Sequence, residues 1–181
     1  VEKSVSLHAH VRGEGVDVHA VRDDTVAAGS NRLSWSIDID NPPLWWPKRL
    51  GGQPLVDIEI TVDVDGARSD MRRCRTAFRE IHVDDWTFTV NGRRLFVMGS
   101  NQGPARMNLA AATESDFRRD IRLAQEANLD LLRVHAHVTL PEFYDAADES
   151  GLLVWQDFPL QWGYARGLRR EACRQAEAMV D

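Results

Sequence analysis

A multi-domain β plus α/β protein is the fold class this sequence predicts: an antiparallel β-sandwich followed by a parallel α/β unit. Three observations carry that expectation. Apolar residues recur with a period of two through the first eighty or so residues, as half-buried antiparallel strands require. Turn signals and prolines punctuate that alternation at short intervals, which suits a sandwich. From Trp86 onward, short continuous apolar runs alternate with segments of helical spacing, the pattern of parallel βαβ units with right-handed crossovers.

The elements follow in order. Val5, Leu7, Ala9 and Val11 alternate with Ser4, Ser6, His8 and His10. A second alternation places Leu33, Trp35, Ile37 and Ile39 against Ser34, Ser36, Asp38 and Asp40. Pro42, Pro43 and Pro47 interrupt the pattern, because proline cannot serve a central strand. Val56 to Val64 alternates with Asp57, Glu59, Thr61, Asp63 and Asp65, and Asp65-Gly66 signals a hairpin turn into the next strand. The acids on that strand have Arg72, Arg73 and Arg75 opposite them, so cross-strand ion pairs are expected rather than a calcium site.

In the second half, Trp86–Val90, Asn91-Gly92 and Arg94–Met98 predict a hairpin closed by a type I′ turn, with Gly99–Pro104 as a loop. Thr113 followed by Asp116 begins a helix carrying Phe117, Ile121 and Ala124, with Asn128 as its stop. Leu131–His135 is an apolar strand. Thr139, Pro141 and Glu142 open a second helix that Gly151 ends. Leu152–Trp155 is the next strand, and Ala172, Ala176 and Met179 line a third helix. Three such units form either a small open α/β layer or part of a larger barrel.

Composition bounds the function. Of the 181 residues 43% are hydrophobic and 28% charged, enough for a packed core. A net charge of −6 argues against a nucleic-acid partner, and no apolar run is long enough to cross a bilayer as a helix. The two cysteines, Cys74 and Cys173, define neither a disulfide framework nor a zinc site. No cofactor is called for. The compartment is left open, with the cytoplasm slightly favoured. The chain opens without Met and within a strand pattern, which suggests an internal piece of a longer protein.

Five collinear motifs bring a known family into view. Asn41–Pro47 (Asn-Pro-Pro-Leu-Trp-Trp-Pro) and Leu50–Leu55 resemble the central immunoglobulin-like domain of family 2 glycoside hydrolases. Arg75–Ile81 and Phe88–Asn101 resemble that family's passage into its (β/α)8 TIM barrel. Asn128–His135 looks like the second barrel strand, and Asp145–Phe158 like the stretch through the third. The Trp-Gln-Asp-Phe run at 155–158 is closest to the β-mannosidase and exo-glucosaminidase branch. Where the mannosidase branch commonly has Trp-Gly-Gly, this chain has His135-Ala136-His137, of which His137 has a counterpart among glucosaminidases.

The resemblance implies an immunoglobulin-like sandwich over 1–84 and the N-terminal part of an incomplete barrel, its first three βα units, over 85–181. It implies retaining hydrolysis of a terminal β-glycosidic bond, β-mannosides foremost, by two glutamates about 5–5.5 Å apart. The family's acid/base follows an asparagine at the end of barrel strand four, and its nucleophile ends strand seven. No Asn-Glu pair occurs here. Both catalytic glutamates are therefore expected beyond Asp181, and the isolated chain is expected to be inactive.

Strand ends of such a barrel carry the working residues. They are Asn101 and Gln102, then Arg133, His135 and His137, then Gln156 and Asp157. Arg133 matches the family's arginine beside the sugar pocket, and Asp157 is suited to accept bonds from sugar hydroxyls. Trp155 and Trp162 are suited to present apolar faces to sugar C–H groups. The expected substrate-binding set is Asn101, Arg133, His135, His137, Trp155, Asp157 and Trp162, with no metal. As His-x-His on a strand, His135 and His137 should share a face, and with Asp157 they also spell a less favoured metal-dependent hydrolase. A non-catalytic sandwich module binding carbohydrate or protein is the alternative of a different class. The expected partner is a β-linked carbohydrate, together with self-association through an open barrel edge.

Overall fold

The computed structural model describes residues 1–160 and 163–180. The chain divides into two compact units, Val1–Leu95 and Phe96–Asp181. The first is built on a four-stranded antiparallel sheet of β1 (Lys3–Gly13), β2 (Val16–Val26), β3 (Val56–Val64) and β4 (Ala67–Thr76), in the order β2-β1-β3-β4. Val5, Leu7, Ala9 and Val11 are buried on one face of β1, as their alternation requires. β2 answers with Val16, Val18 and Ala20 on the same face, the same alternation continued across the hairpin. Val11, Val16 and Val56 form a small core that gathers Val18, Ile39, Ile58 and Phe78.

The strand expected over 33–39 does not pair. The segment joins no ladder among the described residues, yet Leu33, Trp35, Ile37 and Ile39 are half-buried and the residues between them exposed. Alternation follows which side of an extended chain faces apolar surface, and it does not need a partner strand to appear. The buried indole N–H of Trp35 has no hydrogen-bond acceptor among the described residues. At the outer edge the Arg22 guanidinium donates to the Ser34 carbonyl and pairs with Asp24 at 2.9 Å.

Turn chemistry is as expected. Asp65 and Gly66 both take positive φ, 50° and 81°, and so do Asn91 and Gly92, at 49° and 73°. Two such residues in succession make the type I′ turn that matches strand twist. The acidic strand pairs across the sheet, Glu59 with Arg73 at 2.7 Å and Asp63 with Arg68 at 2.6 Å. A short sheet, β5 (Ile81–Asp84), β6 (Thr87–Val90) and β7 (Arg93–Arg94), completes this unit. The Asn91 amide donates to the Trp45 carbonyl at 2.9 Å, tying the turn to the Pro-Trp-Trp segment. Trp45 is fully buried, with the Arg79 guanidinium 4.7 Å over its ring.

The second unit is a parallel sheet, β8 (Gly99–Gln102), β9 (Leu131–Val134) and β10 (Leu153–Gln156), in the order β10-β9-β8. It carries α1 (Glu114–Glu126), α2 (Pro141–Ser150) and α3 (Arg169–Val180). β8 corrects the expectation of a loop at 99–104. Gly-Ser-Asn-Gln has little strand propensity of its own, but the backbone of Leu131–Val134 supplies a ladder for it. Asp130, buried at the foot of β9, fixes the register: its carboxylate accepts from Met98 N–H at 3.0 Å. The second arm of the preceding hairpin is accordingly only β7, not Arg94–Met98.

Thr113 caps α1 in a reciprocal capping box with Asp116, whose buried carboxylate also grips Arg106 at 2.7 Å. The Arg106 guanidinium, helped by Thr113, holds Asp116 well below the usual carboxylate range. α2 starts at Pro141, and the N-cap position is Leu140, which makes no side-chain cap bond, so Thr139 does not cap it; Gly151 ends it at φ 75°. Phe117, Ile121, Leu132, Val134, Phe143, Ala146 and Ala147 form one core between the helices and the sheet. Arg118 bonds Glu114 at 2.7 Å within α1 and Glu149 of α2 at 2.9 Å, bracing the helix pair.

Candidate functional site

The parallel ladder sorts side chains by face. Leu132 and Val134 are buried against the helices, so Arg133 points to the opposite face. The register sets Asn101, Arg133 and Trp155 side by side in one row. Gln102, Val134 and Gln156 form the next row, facing the helices.

The ladder continues one step past the strands, with His135 N–H donating to the Gln102 carbonyl at 3.0 Å and Asp157 N–H to the Val134 carbonyl at 3.2 Å. This step returns His135 and Asp157 to the face of Arg133. There Arg133 grips Asp157 through two nitrogens, each 2.9 Å from a different carboxylate oxygen. His135 Nδ1 stands 3.3 Å from Asp157 Oδ2, and Ala136 N–H donates to the same oxygen at 3.4 Å. The Arg133 hydrogen bond is the main cause of a lowered Asp157 pKa, supported by the Ala136 N–H and His135 and opposed by partial burial.

His135 and His137 do not share a face, contrary to the two-residue spacing. β9 ends at Val134, and Ala136 takes a left-handed φ of 63°, which reverses the alternation. His137 is buried on the helix side, its Nδ1 2.9 Å from the His135 carbonyl, beside Phe117, Val134 and Phe143. Only His135 joins Asp157, so His135, His137 and Asp157 do not gather into a ligand set. Among the described residues the one trio with metal-ligand spacing is His10, Asp17 and His19, in the other unit.

Gln156 and Gln102 support rather than line the site. Gln156 donates to the carbonyls of His137 and Asp157, both at 2.7 Å, while its own carbonyl accepts from Tyr144. Burial pushes the Tyr144 phenol up, keeping it a neutral donor. Gln102 reaches Asp120 of α1 at 3.0 Å. Asn101 is exposed in the Arg133 row, Trp155 is 62% exposed there, and Trp162 lies outside the described residues. The signal for Gln156 and Tyr144 as positioning residues was absent from the sequence, because the turn at Ala136 decides which carbonyls need donors.

The face therefore presents a fixed, ionised carboxylate with a guanidinium, an imidazole, a primary amide and an indole around it. Such a set suits a neutral ligand rich in hydroxyl groups, which needs both donors and acceptors and offers C–H surface to an aromatic ring.

No protein-family model matches the chain. β-Mannosidase A of Aspergillus terreus is 33% identical over 175 residues, covering 86% of this chain and 19% of that protein. The exo-β-D-glucosaminidase of Hypocrea jecorina is 32% identical over 135 residues, covering 71% of this chain and 15% of that enzyme. The crystal structure of a β-D-mannosidase from Dictyoglomus thermophilum superposes with a TM-score of 0.80 over 96% of this chain and 23% of that one, at 22% identity, a likeness of fold. The chain thus spans about a fifth of the length of the curated relatives it matches. Motifs, fold and relatives agree: the chain belongs to the family 2 glycoside hydrolases, in the β-mannosidase and exo-glucosaminidase branch.

Proposed function

We propose that this chain is part of a retaining β-glycosidase acting on terminal β-glycosides, with β-mannosides preferred. In this reading residues 1–84 belong to an immunoglobulin-like sandwich and 85–181 begin a (β/α)8 barrel. The observation that carries it is the Arg133–Asp157–His135 constellation at the carboxyl ends of parallel strands, where barrels place their sites. Asn101, Arg133, His135, Trp155 and Asp157 contact the terminal sugar. His137, buried on the helix side, serves by holding the turn. The two catalytic glutamates come from barrel strands outside this chain, which alone is inactive.

The test is hydrolysis of aryl β-mannoside, β-glucosaminide and β-glucuronide by the 181-residue chain and by a longer protein that includes it. The expected result is β-mannosidase activity with retention in the longer protein and none in the chain. Tight oligosaccharide binding by the inactive chain would favour a carbohydrate-binding module instead. Among the described residues β8 and β10 are the edges of the parallel sheet, which this reading leaves open for pairing. The 181-residue chain is accordingly expected to self-associate at micromolar concentration, and sedimentation as a clean monomer would contradict this.

A further inference from the structure

The outer face of the four-stranded sheet carries a cluster unrelated to the strand-end site. His10 on β1 and His19 on β2 are direct cross-strand partners, their rings stacked 3.7 Å apart at 21°. Asp17 lies two residues before His19 and so shares its face. A single oxygen, Asp17 Oδ1, stands 2.8 Å from His10 Nε2 and 3.6 Å from His19 Nε2. Side chains sit here over a shallow depression of about 250 Å³ that also includes His8, Glu59, Thr61 and Arg68.

We propose that His10, Asp17 and His19 form a divalent transition-metal site of the zinc class, clipping β1 to the edge strand β2. Zinc sits about 2.0–2.1 Å from imidazole nitrogen and carboxylate oxygen, so tetrahedral ligand atoms stand roughly 3.4 Å from one another. The two measured separations bracket that value. Two imidazoles and one carboxylate are a borderline donor set that suits zinc better than calcium or magnesium, which prefer all-oxygen shells. The stacked rings must splay for both Nε2 lone pairs to converge. Both histidines keep exposed surface, His19 with 69% of its side chain accessible, so the rings have room to turn. Each must bind as the neutral Nδ1–H tautomer, releasing the Nε2 contact to the metal. Glu59, the cross-strand partner of His10 on β3, adds negative charge nearby, and Arg12, opposite Asp17, opposes it. Three protein ligands leave the remaining position to water.

The experiment is titration of the metal-free 181-residue chain with Zn²⁺ by calorimetry, in a Cys74→Ser/Cys173→Ser background because both thiols are free and exposed. One equivalent is expected to bind saturably and raise the melting temperature. Loss of an outer-shell partner costs about 10–100-fold in metal affinity, so His10→Gln, His19→Gln and Asp17→Asn should each cost at least about tenfold. His8→Gln, whose imidazole faces Asp63 instead, should leave the affinity unchanged. Should a variant fold poorly, imidazole ¹⁵N resonances of the unsubstituted ligands decide: His10 and His19 should shift with Zn²⁺ while His8 and His82 stay. Absence of saturable binding overturns the proposal, as does binding that ignores all three substitutions or moves the wrong histidines.

Discussion

Replacing Phe143 by alanine is expected to cost about 3–5 kcal/mol and to unfold the second unit at moderate urea concentrations. The ring is fully buried and stands edge-on to Phe117 of α1, centroids 5.9 Å apart, and to Tyr144 at 5.5 Å. Removing it opens a cavity where α1, α2 and the parallel sheet meet, and Ala146, Ala147 and Val134 around it are too small to refill the space. The loss is a large fraction of the 5–15 kcal/mol or so that stabilises a typical domain. Phe143→Leu retains most of the volume and should lose much less. Urea unfolding followed by far-ultraviolet circular dichroism measures both. Similar midpoints for the two variants would mean that α2 does not anchor this core.

Arg133→Ala is expected to have the largest effect on function. In a longer, active protein it should lower kcat/KM about 10- to 100-fold, the scale of losing charge-assisted hydrogen bonds. Arg133→Lys should recover only part, because a lysine cannot reproduce the two-nitrogen grip on Asp157. The pH dependence follows from the same pair. Asp157 has a folded-state pKa below its unfolded value, so its contribution to stability is complete above the unfolded value, about 3.9. That contribution is lost as pH falls through the lowered folded-state pKa. Arg133→Ala returns Asp157 toward its ordinary range, so the variant should lose less stability on acidification than the parent chain. Equal acid limbs in urea titrations of the two would show that Arg133 does not hold this carboxylate ionised.

The residues that local chemistry governs were legible in advance. Asp65-Gly66 and Asn91-Gly92 make their turns because their own φ preferences suffice. Thr113 and Asp116 close their capping box across three residues, and Gly151 ends α2 through its left-handed φ. The strand alternation of Val5 to Val11 likewise needs only one wet and one dry face, whereas along Val56 to Val64 it blurs, with Thr61 of the polar set buried and the apolar residues after Val56 only half-buried.

What required the folded chain was every decision made by a distant partner. Gly99–Gln102 becomes a strand because β9 offers unpaired backbone groups, which outweigh four weak strand formers. The segment 33–39 shows the converse, a fine alternation with no ladder to join. One left-handed residue, Ala136, sends His137 into the helix layer and leaves His135 with Asp157. Arg133 and Asp157 were both named as strand-end residues, but their union across 24 positions belongs to the parallel register. The sequence by itself determined the two structural classes, the turns, the helix ends and the identities of the polar residues at the strand ends. Tertiary structure alone decided which of those residues meet, because pairing and facing depend on backbone groups far apart in the chain, and no local preference encodes them.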